Sequence, residues 1–235
     1  MSPDQAGKRL FVGARVSVAT ANALAGAAET LARRARDAGV DIRWVAPVNY
    51  HVTIKFLGQT REAALAALVD ALVAAAAGTP RITLHCARLG AFPSLDKSNV
   101  LWAGVADEPA LAQLAARVEA ACVALGFAAD KRPFHPHVTL GRVRETRPLR
   151  EVVLPLAEQM FGDSRIDSIA LFESETKSSG SVYREVRKIL FKTASEAAVS
   201  GAERQSRPVE LGDTRRTSEP ETDDGWPRGH GPTDS

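Results

Sequence analysis

The same short pattern, a histidine followed by Val-Thr and one aliphatic residue, occurs twice in this sequence. His51 begins the first copy, and His137 begins the second copy 86 residues further along. Two imidazoles with ordinary pKa values near 6.5 can act as an acid and a base at neutral pH, one protonated and one neutral. Thr53 and Thr139 add short hydrogen-bond donors beside the two rings. The repeated pattern therefore predicts paired acid–base chemistry.

A basic residue near the second histidine indicates the kind of substrate. Arg142 follows His137 by five residues and carries a permanent charge on a planar fork that fits two phosphate oxygens. Threonine hydroxyls also suit the non-bridging oxygens of a phosphate. A phosphate held between two histidines, with these donors around it, is suited to in-line displacement at phosphorus without a metal ion. One histidine would deprotonate the attacking water while the other protonates the departing oxygen.

The first copy lies in a segment with the alternation of a half-buried β-strand. In such a strand, residues two apart share a face, so His51, Thr53 and Lys55 are predicted to lie on one face. Lys55 would then either be solvated or reach a phosphate. The opposite, apolar face is predicted to hold the other three residues: Val52, Ile54 and Phe56.

The order of the predicted elements suggests one unit used twice. Strands are predicted over residues 9–18, around His51, and over 81–92, 99–106, 137–143, 165–174 and 181–192. Helices are predicted over residues 19–39, 60–78, 109–125 and 147–159. This order indicates an α/β or α+β body with largely antiparallel sheets. Because each half carries one histidine strand, a pseudo-twofold axis would bring both His/Thr pairs together across a cleft.

Other residues near the two patterns could contribute to a site, but each also has an ordinary structural explanation. His135 is not followed by Val-Thr and is predicted to support the cleft rather than to contact the substrate. Tyr50 and Phe134 precede the two patterns and would either stack on a nucleobase or pack at the edge of the cleft. A metal site on His51, His135 and His137 is disfavoured because no Asp, Glu or Cys set lies at ligand spacing.

These segments resemble a known family. "HVTIKFLG" and "HVTLGR" resemble the paired His-x-Thr/Ser-x motifs of the 2H phosphoesterase superfamily. The closest resemblance is to its bacterial and archaeal RNA 2′,3′-cyclic phosphodiesterases, once described as 2′-5′ RNA ligases. Four longer blocks resemble the same family in the same order: "RLFVGARV", "RWVAPVNYHVTIKFLG", "RPFHPHVTLGRV" and "IALFESETKSSGSVYREV". The resemblance covers residues 9 to about 192.

The resemblance implies a fold, a reaction and a role for each site residue. The fold would be a bilobal α+β structure, a duplicated α/β unit whose antiparallel sheets face a central cleft with helices outside. The reaction would hydrolyse a terminal 2′,3′-cyclic phosphate on RNA to a 2′-phosphate, with no cofactor. His51 would be the proton donor to the 3′-oxygen and His137 the proton acceptor that activates water. The phosphate would be bound by the remaining motif residues: Thr53, Thr139 and Arg142. The late segment 173–180 would form a loop at the rim of the groove.

Two alternative functions fit the same residues. The substrate could be another cyclic-phosphate nucleotide, or the reaction could run as 2′-5′ ligation, because the identity of the nucleophile is not determined by these motifs. A noncatalytic RNA-binding protein on the same scaffold is ranked lowest, because both His-x-Thr patterns are intact. A nucleotide enzyme of the P-loop type is not supported, because the sequence has no GxxxxGK[ST] motif.

Composition and charge separate a folded body from a tail. The 235 residues are 45% hydrophobic and 25% charged, which is ordinary for a globular protein, and a two-lobed domain is predicted over residues 1–193. Residues 194–235 contain few aliphatic residues and carry a net charge of −4, which leaves +6 for the body. The tail is therefore predicted to be acidic and disordered. A mildly basic body suits a phosphorylated partner, here an RNA end or a related nucleotide.

Features of a secreted or membrane protein are lacking. The longest Ala/Leu/Val stretch, residues 63–77, is interrupted by Asp70 and too short to span a bilayer, and the N-terminus does not resemble a signal peptide. Cys86 and Cys122 lie in apolar stretches without metal-ligand spacing and are predicted to be small core residues in a reducing compartment. We therefore expect a monomeric cytoplasmic protein that contacts no membrane.

Overall fold

The described part of the chain contains nine β-strands and four α-helices. The computed structural model describes residues 7–106, 108–177 and 180–191. The strands are β1 (Lys8–Arg15), β2 (Ile42–Trp44), β3 (His51–Thr60), β4 (Ile82–Ser94), β5 (Lys97–Val105), β6 (His137–Arg147), β7 (Met160–Ile166), β8 (Ser168–Lys177) and β9 (Gly180–Leu190). The helices are α1 (Val18–Asp37), α2 (Leu65–Ala76), α3 (Pro109–Ala124) and α4 (Arg150–Val153). The tail over 194–235, predicted to be disordered, lies outside the described residues.

All strand pairs are antiparallel and form one curled sheet. Its order is β7-β4-β5-β6-β3-β1-β8-β9, and the short β2 pairs with β6. The sheet has two halves, β3-β1-β8-β9 and β6-β5-β4-β7, which meet where Val52 of β3 pairs with Val138 of β6. The predicted α+β fold with duplicated antiparallel halves is confirmed, and the two halves are joined edge to edge through their histidine strands.

Helices α1 and α3 cross between the halves. Helix α1 follows β1 of one half but packs on β7 of the other, where the Thr20 hydroxyl donates to the Asp163 carbonyl at 3.1 Å. Ser17 begins this helix by accepting a hydrogen bond from the Thr20 backbone N–H at 3.1 Å. Helices α2 and α3 pack against each other, α2 also contacting β8 and β9, and α3 contacting β3. These crossed connections tie the two halves into one hydrophobic core.

The core lies between the sheet and these helices. Val52, Val138 and Leu140 of the histidine strands are fully buried in it. Cys86 and Cys122 are buried free thiols, as predicted. None of the described helices is long and apolar enough to cross a membrane.

Each histidine strand contains an extra residue just after its threonine, and this residue shifts the alternation there. In β3, Thr53 pairs with Gly13 and Lys55 pairs with Val12, so Ile54 is the extra residue between them. In β6 the shift occurs at the corresponding place, since Thr139 pairs with Trp102 and Gly141 pairs with Leu101. A bulge of this kind reverses which side of the sheet the following residues face.

The bulge in β3 overturns the predicted positions of Lys55 and Phe56. Lys55 was expected on the face of His51, but it is buried with 1% exposure and turned toward α3. Its ammonium donates to the Ala128 carbonyl at 2.7 Å and forms ion pairs with Glu119 at 2.7 Å and Asp130 at 3.4 Å. Phe56 was expected in the core, but it is 60% exposed. Strict alternation fails here because the bulge adds a residue that the sequence pattern does not mark.

Three further elements differ from the prediction. The segment predicted as one strand over 165–174 is two strands, β7 and β8, because the chain passes from one half of the sheet to the other at Asp167. The helix predicted over 147–159 is only α4 and a 3₁₀ turn, Leu154–Leu156, where Pro155 cannot donate a helical hydrogen bond. The predicted rim loop over 173–180 is strand up to Lys177, because β8 pairs with β9. The three-residue β2 was not predicted.

We expect Lys55→Met to lower the free energy of unfolding by about 1–3 kcal/mol. Loss of the ammonium leaves two carboxylates and one carbonyl without their shared partner, and the cost is reduced because Glu119 and Asp130 are partly exposed. Urea unfolding measures the effect, with Lys131→Met as the exposed lysine control. A variant as stable as the wild type would contradict this structural role of Lys55.

Candidate active site

The contact between β3 and β6 brings the two histidine patterns together. Val52 pairs with Val138 in an antiparallel register, and both side chains face the core. The residues on either side of this pair therefore lie on the opposite face of the sheet: His51, Thr53, His137 and Thr139. Each of these four side chains is partly exposed. Two motifs that begin 86 positions apart in the chain thus share one small surface.

The two imidazoles are oriented in the same way. The Nδ1–H of His51 donates to the carbonyl of Asn49 at 2.6 Å, and the Nδ1–H of His137 donates to the carbonyl of His135 at 2.7 Å. A carbonyl can only accept, so each neutral ring carries its proton on Nδ1 and has a lone pair on Nε2. The Nε2 of His51 accepts a hydrogen bond from the Thr53 hydroxyl at 3.0 Å. Both rings can therefore gain or lose a proton at Nε2.

Burial lowers the pKa of both imidazoles. The pKa of His51 is lowered to about 4, mainly by burial, with further lowering by the charges of Arg15 and His137. Its hydrogen bond to the Asn49 carbonyl opposes this shift. Burial also lowers the pKa of His137, the His135 carbonyl opposes that shift, and the charges of His135 and Arg142 add to it. An anion placed between the rings would favour their protonation.

Arg142 reaches the same face because of the bulge in β6. It pairs with Val100, two positions from Trp102, which itself pairs with Thr139. Without the extra residue, Arg142 would lie on the opposite face from Thr139, since the two are three positions apart. On its other side Arg142 pairs with Arg43 of β2, so two exposed guanidinium side chains lie on adjacent strands beside the site. Such a concentration of positive charge suits a polyanion.

The two histidines have different surroundings. The His51 ring lies 4.8 Å from Phe11 and 5.2 Å from Tyr183, measured between ring centroids. Phe172 completes this cluster, and the Arg15 guanidinium lies over its ring at 5.0 Å while donating to the Val48 carbonyl. Sequence reasoning missed this cluster, because it forms through the pairing of β1 with β3 and β8.

A second aromatic group surrounds His137. Phe92 lies 5.0 Å from the His137 ring, 5.2 Å from Trp102 and 5.5 Å from His135. Trp102 lies 5.3 Å from His135. The pairing of β5 with both β4 and β6 assembles this group, and only His135 was considered from the sequence.

Tyr50 and Phe134, for which the sequence left base stacking and packing as alternatives, both pack in or against the core. Tyr50 is 2% exposed in the core, and burial raises the pKa of its hydroxyl to about 12. Phe134 is partly buried and packs against the same core. Within the described residues, no group of three or more His, Cys, Asp or Glu side chains is arranged to hold a metal ion.

The fold and the paired histidine motifs define a 2H phosphoesterase. The chain belongs to the 2′-5′ RNA ligase superfamily, whose family model matches residues 21–178.

Similar proteins with curated names are called RNA 2′,3′-cyclic phosphodiesterase. The Aeropyrum pernix protein is 32% identical over 165 residues, which cover 68% of this chain and 92% of that protein. The Archaeoglobus fulgidus protein is 31% identical over 147 residues, covering 62% and 82% of the two chains. The Geobacillus stearothermophilus protein is 40% identical over 99 residues, which cover 42% of this chain and only 32% of that relative's length.

Solved structures share the fold. The protein TT0787 of Thermus thermophilus matches with a TM-score of 0.67 and 24% identity, over 79% of this chain and 99% of that chain. E. coli LigT, solved as a complex with 3′-AMP, matches with a TM-score of 0.61 and 24% identity over the same shares. At this level of identity the likeness establishes the common fold.

We expect His51 to titrate near pH 4 in the ligand-free protein and so to be neutral at pH 7. The folded-state pKa lies below the unfolded value of about 6.5, so between these values the unfolded chain binds a proton that the folded protein does not. The free energy of unfolding is therefore highest above pH 6.5 and falls by up to about 3 kcal/mol as the pH decreases toward 4. NMR of the imidazole Cε1–H measures the pKa, with His51→Asn to assign the resonance. A midpoint near 6.5 would contradict the burial argument.

Proposed function

We propose that this protein is an RNA 2′,3′-cyclic phosphodiesterase that hydrolyses a terminal cyclic phosphate to a 2′-phosphomonoester by His/His acid–base catalysis, without a metal ion. The observation that carries the proposal is the antiparallel pairing of Val52 with Val138, which puts two similarly oriented imidazoles and two threonine hydroxyls on one face. The names of the curated relatives support the choice of substrate.

In the proposed reaction the phosphate lies between the two Nε2 atoms. His137 accepts a proton from the attacking water at Nε2, and the water oxygen forms a bond to phosphorus. The bond from phosphorus to the 3′-oxygen breaks in line, and His51 gives its Nε2 proton to that oxygen. The products are a 2′-phosphomonoester and a free 3′-hydroxyl, so atoms and charge balance. Thr53, Thr139 and Arg142 hold the non-bridging oxygens.

The donor role of His51 depends on the charge of the substrate. A ring with a pKa of about 4 is neutral at pH 7 and has no Nε2 proton to give. A phosphate anion beside the ring favours the imidazolium, because opposite charges a few ångströms apart raise the pKa of a cation. Protonation at Nε2 also releases the Thr53 hydroxyl, which donates to that nitrogen in the ligand-free site and can then turn to a phosphate oxygen. Substrate binding would thus prepare the acid.

We expect the purified protein to convert a short RNA ending in 2′,3′-cyclic phosphate to a 2′-phosphate with EDTA present. His51→Ala and His137→Ala should each lower the rate by about 10²–10⁴-fold, because each removes one proton-transfer group. His85→Ala is the matched control, since His85 is exposed, is bonded at 2.9 Å to Asp163 and lies on β4, which β5 separates from β6.

Other outcomes of this assay would support different functions. Turnover that EDTA abolishes would refute the metal-free mechanism. Turnover of mononucleotide cyclic phosphates alone, or joining of RNA ends, would favour the alternative enzymatic function. Binding of the RNA without turnover would indicate a noncatalytic RNA-binding protein. The extent of the folded body over 1–193, the monomeric state and the cytoplasmic location stay predictions.

We expect saturating inorganic phosphate to raise the pKa of His51 from about 4 toward neutrality. The assignment of His51 as the acid requires this shift, which NMR titration of the same Cε1–H measures. Arg142→Ala, which removes a proposed phosphate ligand, should weaken the response, while the exposed Arg144→Ala should leave it unchanged. If phosphate raised only the pKa of His137, the roles of the two histidines would have to be exchanged.

A further inference from the structure

We propose that Trp102, together with Phe92 and His135, forms a binding site for the nucleobase of the terminal nucleotide, next to His137. The inference rests on the proposed function and adds to it the place and the chemistry of base recognition. It starts from a difference between the two halves of the sheet at matched positions.

The halves differ at the residue opposite each threonine. In one half Thr53 pairs with Gly13, and the His51 ring packs over this glycine, so that a Cβ there would lie 3.2 Å from its Cδ2. In the other half Thr139 pairs with Trp102, so an indole occupies the matched position. Paired residues on adjacent strands share a face, and the indole therefore belongs to the face of the site.

The two aromatic groups also differ in access. Around His51, Phe11 and Phe172 are 3% and 2% exposed and stack on each other at 5.1 Å, so neither offers a ring face to a ligand. Tyr183 is the one partly exposed ring of that cluster, and it meets the His51 ring edge-on. Around His137, Phe92 and Trp102 are only partly buried and His135 is exposed. Aromatic rings that stay partly open beside a phosphate site are suited to stacking on bases, because every base has a π-face. The base of a bound RNA end is therefore assigned to the side of His137.

The indole has a fixed position and an unused donor. The indole of Trp102 lies against Gly90, its pairing partner on β4, so closely that a Cβ at Gly90 would come within 2.3 Å of Cζ2 and Cη2. The indole can adopt this position only because residue 90 has no side chain. Its Nε1–H is buried and has no hydrogen-bond partner in the described part of the chain. Because the Nε1–H is buried, a stacked base would contact the exposed part of the indole ring rather than this donor.

The test compares RNAs ending in 2′,3′-cyclic phosphate that carry either a base or an abasic site at the last nucleotide. Trp102→Ala should lower kcat/KM for the base-bearing end by about 5- to 150-fold, the usual value of one stacked base. It should leave the abasic end unchanged, which makes that RNA the matched control within each variant. Trp102→Phe keeps an aromatic ring of smaller area, so the loss should be smaller, about 2- to 10-fold.

Equilibrium binding of the corresponding 2′-phosphate-ended RNAs, run in parallel, keeps the test independent of turnover. Equal losses on both ends would overturn the inference and indicate that Trp102 only supports His137. Equal affinity and turnover of both ends by the wild type would also overturn it. If the wild type turned over neither end, the proposed function would fail. Tighter binding of the base-bearing end would then still support the base-binding site, independently of the proposed function. Thermal unfolding of both variants checks that they fold.

Discussion

The antiparallel contact between Val52 and Val138 is the constraint on which the rest of the site depends. It joins the two halves of the sheet at the strands that carry the histidines, and it buries one valine from each strand in the common core. Because side chains alternate across a strand, this single pairing fixes which residues share the opposite face. A shift of one residue in either strand would turn its histidine and threonine toward the core. Burial of the valines thus holds the polar face in register.

The two bulges decide which side chains after each threonine face the site. In β6 the extra residue brings Arg142 to the face of Thr139, and in β3 it turns Lys55 away from the face of Thr53. The same irregularity in the two halves therefore adds a cation to the site in one case and removes one in the other. Lys55 instead stabilises the packing of α3 through its ion pairs with Glu119 and Asp130. The bulge in β6 thus places Arg142 beside His137, whereas Arg15 lies near His51.

Burial and asymmetry then differentiate two histidines that the sequence presents as equivalent. Phe11, Phe172 and Tyr183 enclose His51, and the loss of hydration lowers its pKa to about 4. The surroundings of His137 are more open, with an indole where the other half has a glycine. A duplicated fold that binds an asymmetric ligand needs such a difference, since a phosphate can be held symmetrically but a nucleoside extends to one side only. The aromatic neighbours supply the difference without changing the shared motif.

The sequence by itself determined the antiparallel α+β fold, the family and the repeated His-x-Thr pattern, because these depend on local periodicity and on short motifs. It also indicated Thr53, Thr139 and Arg142, whose chemistry can be judged from residue type and spacing. Only the tertiary structure decided that Lys55 is buried, that Phe56 is exposed, and that Arg15, Phe92 and Trp102 surround the histidines. The physical reason is that bulges and strand order are set by pairing between segments far apart in the chain. The alternation of polar and apolar residues in a single segment shows neither the bulges nor the strand order.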